Sequence, residues 1–250
     1  MESPQAEKDD VFGEGLILPP LIIQLRKILD QYPDDSQIFK ELVQNAEDAG
    51  AREVKFLYDR RSYGTSSRSL YNPTLAKYQG PALYAYNDAC FNESDWKGVR
   101  MLSQSVKQNE PLKVGYFGMG FKSVFHLTDM PFILSGDHIG VIDPHQQCFQ
   151  SSSHGWSLSK GENLLDTMPH QFEPFFGVFD CTKDCFKDGW YGSTLFRFPL
   201  RTHKSALSDV LYTDAKMQGL LDTFQEDAHL LLLFMRSVES IEVYQRDSHS

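Results

Sequence analysis

The sequence predicts an α+β domain built on a mixed β-sheet. Stretches with apolar residues at three- and four-residue spacing interchange irregularly with short alternating stretches, without the even βαβ rhythm of a parallel sheet. A hairpin turns at Gly136-Asp137 between two apolar runs. At 250 residues the chain sits at the upper edge of what one hydrophobic core organises, and it carries no internal repeat. The expected partition is a disordered, solvated tail over residues 1–11 and one domain over residues 12–250.

Taken in order, Pro19-Pro20 opens a helix through about Leu29, with Leu21, Ile22, Leu25, Ile28 and Leu29 on one stripe. Tyr32-Pro33 breaks it, and Asp34 to Ser36 offers an N-cap. A second helix then runs from about Gln37 to Ala49 and stops at Gly50. Glu53 to Tyr58 and Pro81 to Tyr86 read as strands on either side of a polar loop from Arg61 to Thr74. Asn92 or Ser94 caps a helix that reaches about Ser105. A loose polar stretch from Gln104 to Lys113 and a glycine-rich turn precede a helix over about Phe121 to His126. The hairpin strands are Ile133 to Ser135 and His138 to Ile142. Residues 146–190, Ser/Gly-rich from Ser151 to Lys160, read as a surface excursion, and Trp156, Phe172, Phe175, Phe176, Phe179 and Trp190 as core or interface fillers. A strand from Gly192 to Pro199, a helix from about Met217 to Arg236 and a strand from Ser240 to Gln245 complete the chain.

Composition removes several function classes. Hydrophobic residues at 41% and charged residues at 23% are ordinary for a folded soluble domain. The longest apolar run, Leu230 to Met235, falls far short of the roughly 20 residues that cross a bilayer, so no membrane partner is expected. A net charge of −10 without a cationic cluster argues against nucleic acid. The first ten residues have neither the basic start nor the apolar core of a signal peptide. Four cysteines are too sparse for a disulfide framework. Cys181 and Cys185, with His170 and His203 on either side, raise the question of a metal site. Cys90 and Cys148 supply no second pair at zinc spacing, so free thiols in a cytoplasmic setting are expected.

Chemistry concentrates on the second helix. At 100° per residue Ile38, Leu42, Ala46 and Ala49 form a core-facing stripe, and Glu41, Asn45 and Asp48 fall in a narrow arc beside it. Polar groups on the shoulder of a buried face line the rim of a cleft. A carboxylate there can take a proton from water, and an amide oxygen can ligate Mg²⁺. A solvated helix face carrying the same residues is the plainer alternative. The turn Gly115-Tyr116-Phe117-Gly118-Met119-Gly120-Phe121-Lys122-Ser123 places three glycines before a helix-like run. Glycine lets the backbone approach a ligand, and N–H groups at a helix start cradle an anion. A tight turn with glycine caps is the competing explanation.

Together these segments resemble a known family. ELVQNAEDA, residues 41–49, looks like the N-box of the GHKL ATPases (gyrase, the ninety-kilodalton heat-shock chaperone, histidine kinases and MutL). Gly115 to Phe121 resembles their second glycine box, and Gly192-Ser193-Thr194-Leu195-Phe196 their third glycine element. Within that group, KELVQNAEDAGA, GPALYAYN, VGYFGMGF and SGDHIGVIDPH resemble the repeat domains of the sacsin-like chaperone-type family.

The resemblance implies a Bergerat fold, a two-layer sandwich whose mixed sheet is covered on one face by helices, holding ATP and Mg²⁺. It implies Glu41 as the base that activates water, Asn45 as the Mg²⁺ ligand and Asp48 as a lining residue of the nucleotide pocket. Gly115, Gly118, Gly120 and Phe121 would lie at the phosphates, Asn87 and Phe91 at the base pocket, and Thr194 at the adenine end. Residues 92–113 would form the lid. One element departs: where the family places an Asp followed by glycines, this chain has Asn87-Asp88-Ala89-Cys90, an uncharged acceptor followed by added side chains. Family enzymes complete hydrolysis with a basic residue from the next domain, and the chain stops before one, so slow or unmeasurable ATP hydrolysis is expected of it alone. Clients or co-chaperones are the implied protein partners, and a monomer the expected state of the chain. Two other readings remain. One is a degenerate GHKL scaffold that binds protein and no nucleotide. The other is a metal-dependent hydrolase using His126, His138 and His145 with Asp129, Asp137 and Asp143.

Overall fold

The strands carry apolar residues on both sides, and this decides the architecture. The structure, a computed structural model, describes residues 20–31, 36–103 and 120–248. In β1 (Glu53–Asp59), Val54, Phe56 and Tyr58 enter one core and Leu57 another; in β2 (Ala82–Asn87), Leu83 and Ala85 oppose Ala82 and Tyr84. Successive side chains leave a strand on opposite faces, so both faces of this sheet need cover. With β3 (Phe132–Gly136), β4 (His138–Ile142), β5 (Ser153–Ser157), β6 (Tyr191–Pro199) and β7 (Ser240–Arg246) the sheet has seven strands in the order β5-β4-β3-β6-β2-β1-β7. All neighbours are antiparallel except β1 and β7, so the sheet is mixed and the fold is α+β, as the sequence predicts.

The helices are α1 (Leu21–Leu29), α2 (Gln37–Asp48), α3 (Glu93–Ser103), α4 (Gly161–Thr167), α5 (Pro169–Phe172), α6 (Lys183–Asp188) and α7 (Asp214–Leu232). The amphipathic helices α1, α2 and α7 cover one face, burying Leu25, Phe39, Val43, Leu221 and Phe224 against Val54, Phe56 and Phe198. The rings of Phe39, Phe56 and Phe224 meet at centroid distances of 4.8–5.4 Å. On the other face Trp156, Phe172, Phe175 and Phe186 pack against Tyr84, Phe132, Leu134 and Val141. Residues 146–190, whose Ser/Gly content suggested a surface excursion, thus supply β5 and much of a second core. The backbone pairing of β5 with β4, His138 opposite Ser157 through Ile142 opposite Ser153, is what composition does not display.

Local signals act where the sequence places them. Gly50 takes φ +74° just after α2, the left-handed conformation of a helix stop. Asn92 Oδ1 accepts from the backbone N–H groups of Ser94 (2.7 Å) and Asp95 (3.1 Å), and Asp95 Oδ2 accepts from Asn92 N–H (2.8 Å). That reciprocal capping box fixes the start of α3. The run Phe121–His126 is a tight 3₁₀ helix rather than an α-helix, with Ser123 N–H bonded to Gly120 O and Leu127 N–H to Val124 O. No helix among the described residues is long and apolar enough to cross a membrane.

A buried carboxylate at the end of β1 makes the fold acid-sensitive. Asp59, 1% exposed, accepts from Arg61 N, Nε and Nη2 and from the Tyr63 hydroxyl. Burial pushes its pKa up, but Arg61 and Tyr63 outweigh burial and hold it below its ordinary 3.8. A depressed folded-state pKa adds stability above the unfolded value of about 4, which is lost as pH falls through the folded value. Urea midpoints will therefore decline below pH about 4, and Asp59→Asn will be less stable at neutral pH with a shallower acid slope. An unchanged acid slope in that variant would contradict the assignment.

Candidate functional site

The site grows from the edge of α2. Ile38, Phe39, Leu42, Val43 and Ala46 are buried on its core face. Glu41 and Asn45 are half-buried on its shoulder, and Asp48 is exposed at its last turn. Ala49, expected in the buried stripe, is instead the exposed C-cap, because the helix ends one residue before it.

Gly120 lies directly against Glu41. A Cβ built on Gly120 would fall 1.9 Å from Glu41 Oε2, so no larger residue fits while the carboxylate keeps its place. The other carboxylate oxygen, Oε1, accepts from Gln37 Nε2 at 3.3 Å. The helix edge and the last glycine of the turn, far apart in sequence, are thus in contact. Phe121 is fully buried with its ring against Phe196, at 5.7 Å. Gly115 and Gly118 lie outside the described residues, as do residues 104–113 of the expected lid and the tail over residues 1–11.

Asn45, Asp48, Asn87, Phe91 and Thr194 line one cavity of about 100 Å³, together with Ala49, Ala89, Cys90, Asn92, Asp95 and Phe196. Pockets that enclose a whole drug-sized ligand run to roughly 300–1,000 Å³, so this one is sized for part of a ligand. Sheet register brings its base together. Asn87 of β2 stands opposite Thr194 of β6, and Thr194 opposite Ser135 of β3. Phe91 N–H donates to Ser135 Oγ (2.9 Å), Ser135 and Thr194 hydroxyls are 2.8 Å apart, and Thr194 Oγ donates to Ala89 O (2.7 Å). Asn87 Oδ1 accepts from Ala89 N–H at 3.1 Å.

Of the three residues that follow Asn87, Asp88 turns away and accepts from the backbone N–H groups of Arg52 (2.7 Å) and Glu53 (3.1 Å). Ala89 and Cys90 line the cavity. Burial raises the Cys90 thiol pKa, which keeps it protonated at neutral pH. On α2, Asn45 Nδ2 is buried without a hydrogen-bond partner among the described residues. An orphaned buried donor is costly, and a ligand oxygen is its natural complement.

Sequence reasoning did not name Ser135, Asn92 or Asp95 as residues at this cavity, although it offered Asn92 as a helix cap. The capping-box spacing Asn92-x-x-Asp95 was a signal for the last two. Ser135 had none, because strand register alone brings it to Thr194. The metal-hydrolase reading finds no support: among the described residues no three His, Cys, Asp or Glu side chains gather as a metal site. His138 pairs with its neighbour Asp137 (2.6 Å), and Asp143 accepts from the backbone of Cys148 and Phe149. His145 and Asp129 of that set also approach each other, at 3.8 Å. Cys181 is buried and Cys185 half-buried, both as free thiols.

A family model of the Sacsin domain matches residues 19–250. The chain is also 48% identical over 236 residues to sacsin of Homo sapiens, an alignment that covers 94% of this chain and 5% of sacsin. The chain therefore spans a small fraction of that relative's length.

Proposed function

The chain belongs to the Sacsin domain family, and on that premise we propose that it is a nucleotide-binding module of a sacsin-like chaperone protein. It takes ATP with Mg²⁺ and alone hydrolyses it slowly or not at all. The observation that carries this reading is the contact of Glu41 with Gly120 beside a cavity that Asn45, Asp48, Asn87, Phe91 and Thr194 share. Asn45 fits a Mg²⁺–phosphate group in both halves of its amide. The oxygen is a hard donor for the cation, and the orphaned Nδ2 takes a phosphate oxygen. Mg²⁺ there would neutralise phosphate charge. Glu41 would accept a proton from water, and Gln37 Nε2 donates to its Oε1.

Calorimetric titration with millimolar Mg-ATP tests the reading. Saturable heat is expected from the chain, with affinity at least tenfold weaker in Asn45→Ala, the loss of one bond to a charged group. No heat from the unaltered chain would contradict it. Gly120→Ala should fold, since the displaced atom is the end of a flexible side chain, yet bind more weakly because Glu41 must move. Turnover above about 1 s⁻¹ that Glu41→Ala abolishes would contradict the expectation of slow hydrolysis.

A second reading, a scaffold that binds a client or co-chaperone, is favoured by one observation. Leu230, Leu233 and Phe234, at the end of α7, are 47%, 74% and 80% exposed. Apolar residues grouped in this way mark a protein contact more often than scattered ones do. As first framed that scaffold binds no nucleotide, but an apolar contact surface by itself is compatible with nucleotide binding in one cytoplasmic module that is monomeric by itself.

A further inference from the structure

At the opposite end of the sheet two hollows of about 160 and 230 Å³ adjoin. Lys77, Pro199, Leu200 and Thr202 line both, so the two form one groove. β6 carries Thr194 to the cavity described above and Pro199 to this groove, and five steps of strand separate them by about 17 Å. Each hollow holds a buried side chain whose hydrogen-bonding capacity is unmet. In the smaller one His145, with its side chain 6% exposed, has Nε2 buried without a partner among the described residues. Its 3.8 Å to Asp129 Oδ1 is beyond hydrogen-bond reach. In the larger one Gln79 is 2% exposed, its Oε1 is buried, and its side-chain amide makes no hydrogen bond among the described residues. Buried polar groups are rarely left unbonded, and two on one groove mark a place where a ligand supplies the partners.

The groove is cationic in a chain of net charge −10. Lys77 Nζ donates to the neutral Gln147 Oε1 at 2.9 Å, and neither Lys77 nor Lys204 has an acidic partner among the described residues. The Asp129 carboxylate also lines the smaller hollow, but Arg201 Nε and Ser205 Oγ already bond its Oδ1 at 2.9 Å each. An anion is the complement of that half. In the other half a carboxamide with both ends open matches a peptide group, which brings one N–H and one C=O. An inorganic anion would leave that amide unmet. We propose that the groove binds an acidic peptide segment: a Glu or Asp carboxylate takes His145 Nε2, Lys77 and Lys204, and the peptide backbone beside it pairs with the Gln79 amide. This site does not depend on the nucleotide reading.

Calorimetric titration of the full chain with acetylated, amidated tetraglutamate tests this, beside the same peptide of glutamine and free glutarate, which has carboxylates but no peptide group. Tetraglutamate should bind saturably, and both comparisons roughly tenfold or more weakly, since each leaves one half of the groove unpaired. Lys204→Gln, at an exposed position, should weaken tetraglutamate about threefold. Gln79→Met keeps the side chain's length without its amide and should weaken it about tenfold. Lys204→Gln alone decides the location if Gln79→Met does not fold. No binding of tetraglutamate, or affinity unchanged by Lys204→Gln, overturns the site. Tetraglutamine as tight as tetraglutamate overturns the carboxylate contact, and glutarate as tight overturns the peptide assignment.

Discussion

Replacing Arg201 by methionine will destabilise the domain by about 3–5 kcal/mol, the range for removing one partner of a buried ion pair. The Arg201 side chain is 1% exposed. Its guanidinium bonds Asp129 Oδ1 (Nε at 2.9 Å, Nη2 at 2.8 Å) and donates to the backbone carbonyls of Phe125 (2.6 Å) and His126 (2.8 Å). Without it, Asp129, whose side chain is only 12% exposed, loses its nearest cation, and these carbonyls lose their donor. Burial raises the Asp129 pKa, but His145, Arg201 and Ser205 together outweigh burial and hold it low, so the carboxylate is charged in the native state. The carbonyls belong to the 3₁₀ helix that begins beside Gly120, so Arg201 also braces the glycine turn from its far end. Urea unfolding measures the loss. A value below 1 kcal/mol would contradict the account. Arg201→Met combined with Asp129→Leu should lose less than Arg201→Met alone, since no charge is then left unpaired.

Gly161→Ala is the second large effect, at about 3 kcal/mol, the upper end for forced overpacking. A Cβ there would lie 1.7 Å from the carbonyl oxygen of Phe186 and 2.5 Å from its carbon. Both are backbone atoms, so α4 must separate from α6 and open the core that holds Phe186 and Phe172. For a domain of this size the melting temperature should drop by roughly 6–12 °C. Gly219→Ala is the control. It is exposed on α7 with nothing within 4 Å of an added Cβ, so it should gain about 0.5–1 kcal/mol from helix propensity. Equal effects at the two glycines would mean that α4 and α6 are not packed as described.

These two positions also mark where sequence reasoning runs out. Helical period suffices to put Glu41, Asn45 and Asp48 beside a buried stripe, and alternation suffices to find β1, β2, β6 and β7, because both signals are local. Gly161 and Arg201 carry no local signal. Their partners, Phe186 and Asp129, are brought to them by tertiary packing. The same holds for β5, whose Ser/Gly-rich sequence resembles a loop until β4 supplies its hydrogen bonds. Asp88 gave the opposite error: its place in the chain suggested bulk in the base pocket, but its carboxylate is drawn to the free N–H groups of Arg52 and Glu53. The direction of the Asn87 amide is likewise set by a backbone turn and not by the residue's identity.

The central claim is that the α2 edge, the glycine turn and the ends of β2 and β6 form one nucleotide site. A crystal of the chain with the Mg²⁺ complex of a non-hydrolysable nucleoside triphosphate tests it most directly. The account predicts phosphate density beside Gly120 and Asn45 and a base against Asn87 and Thr194. A cavity empty at saturating nucleotide, or a nucleotide seated elsewhere on the domain, would contradict it.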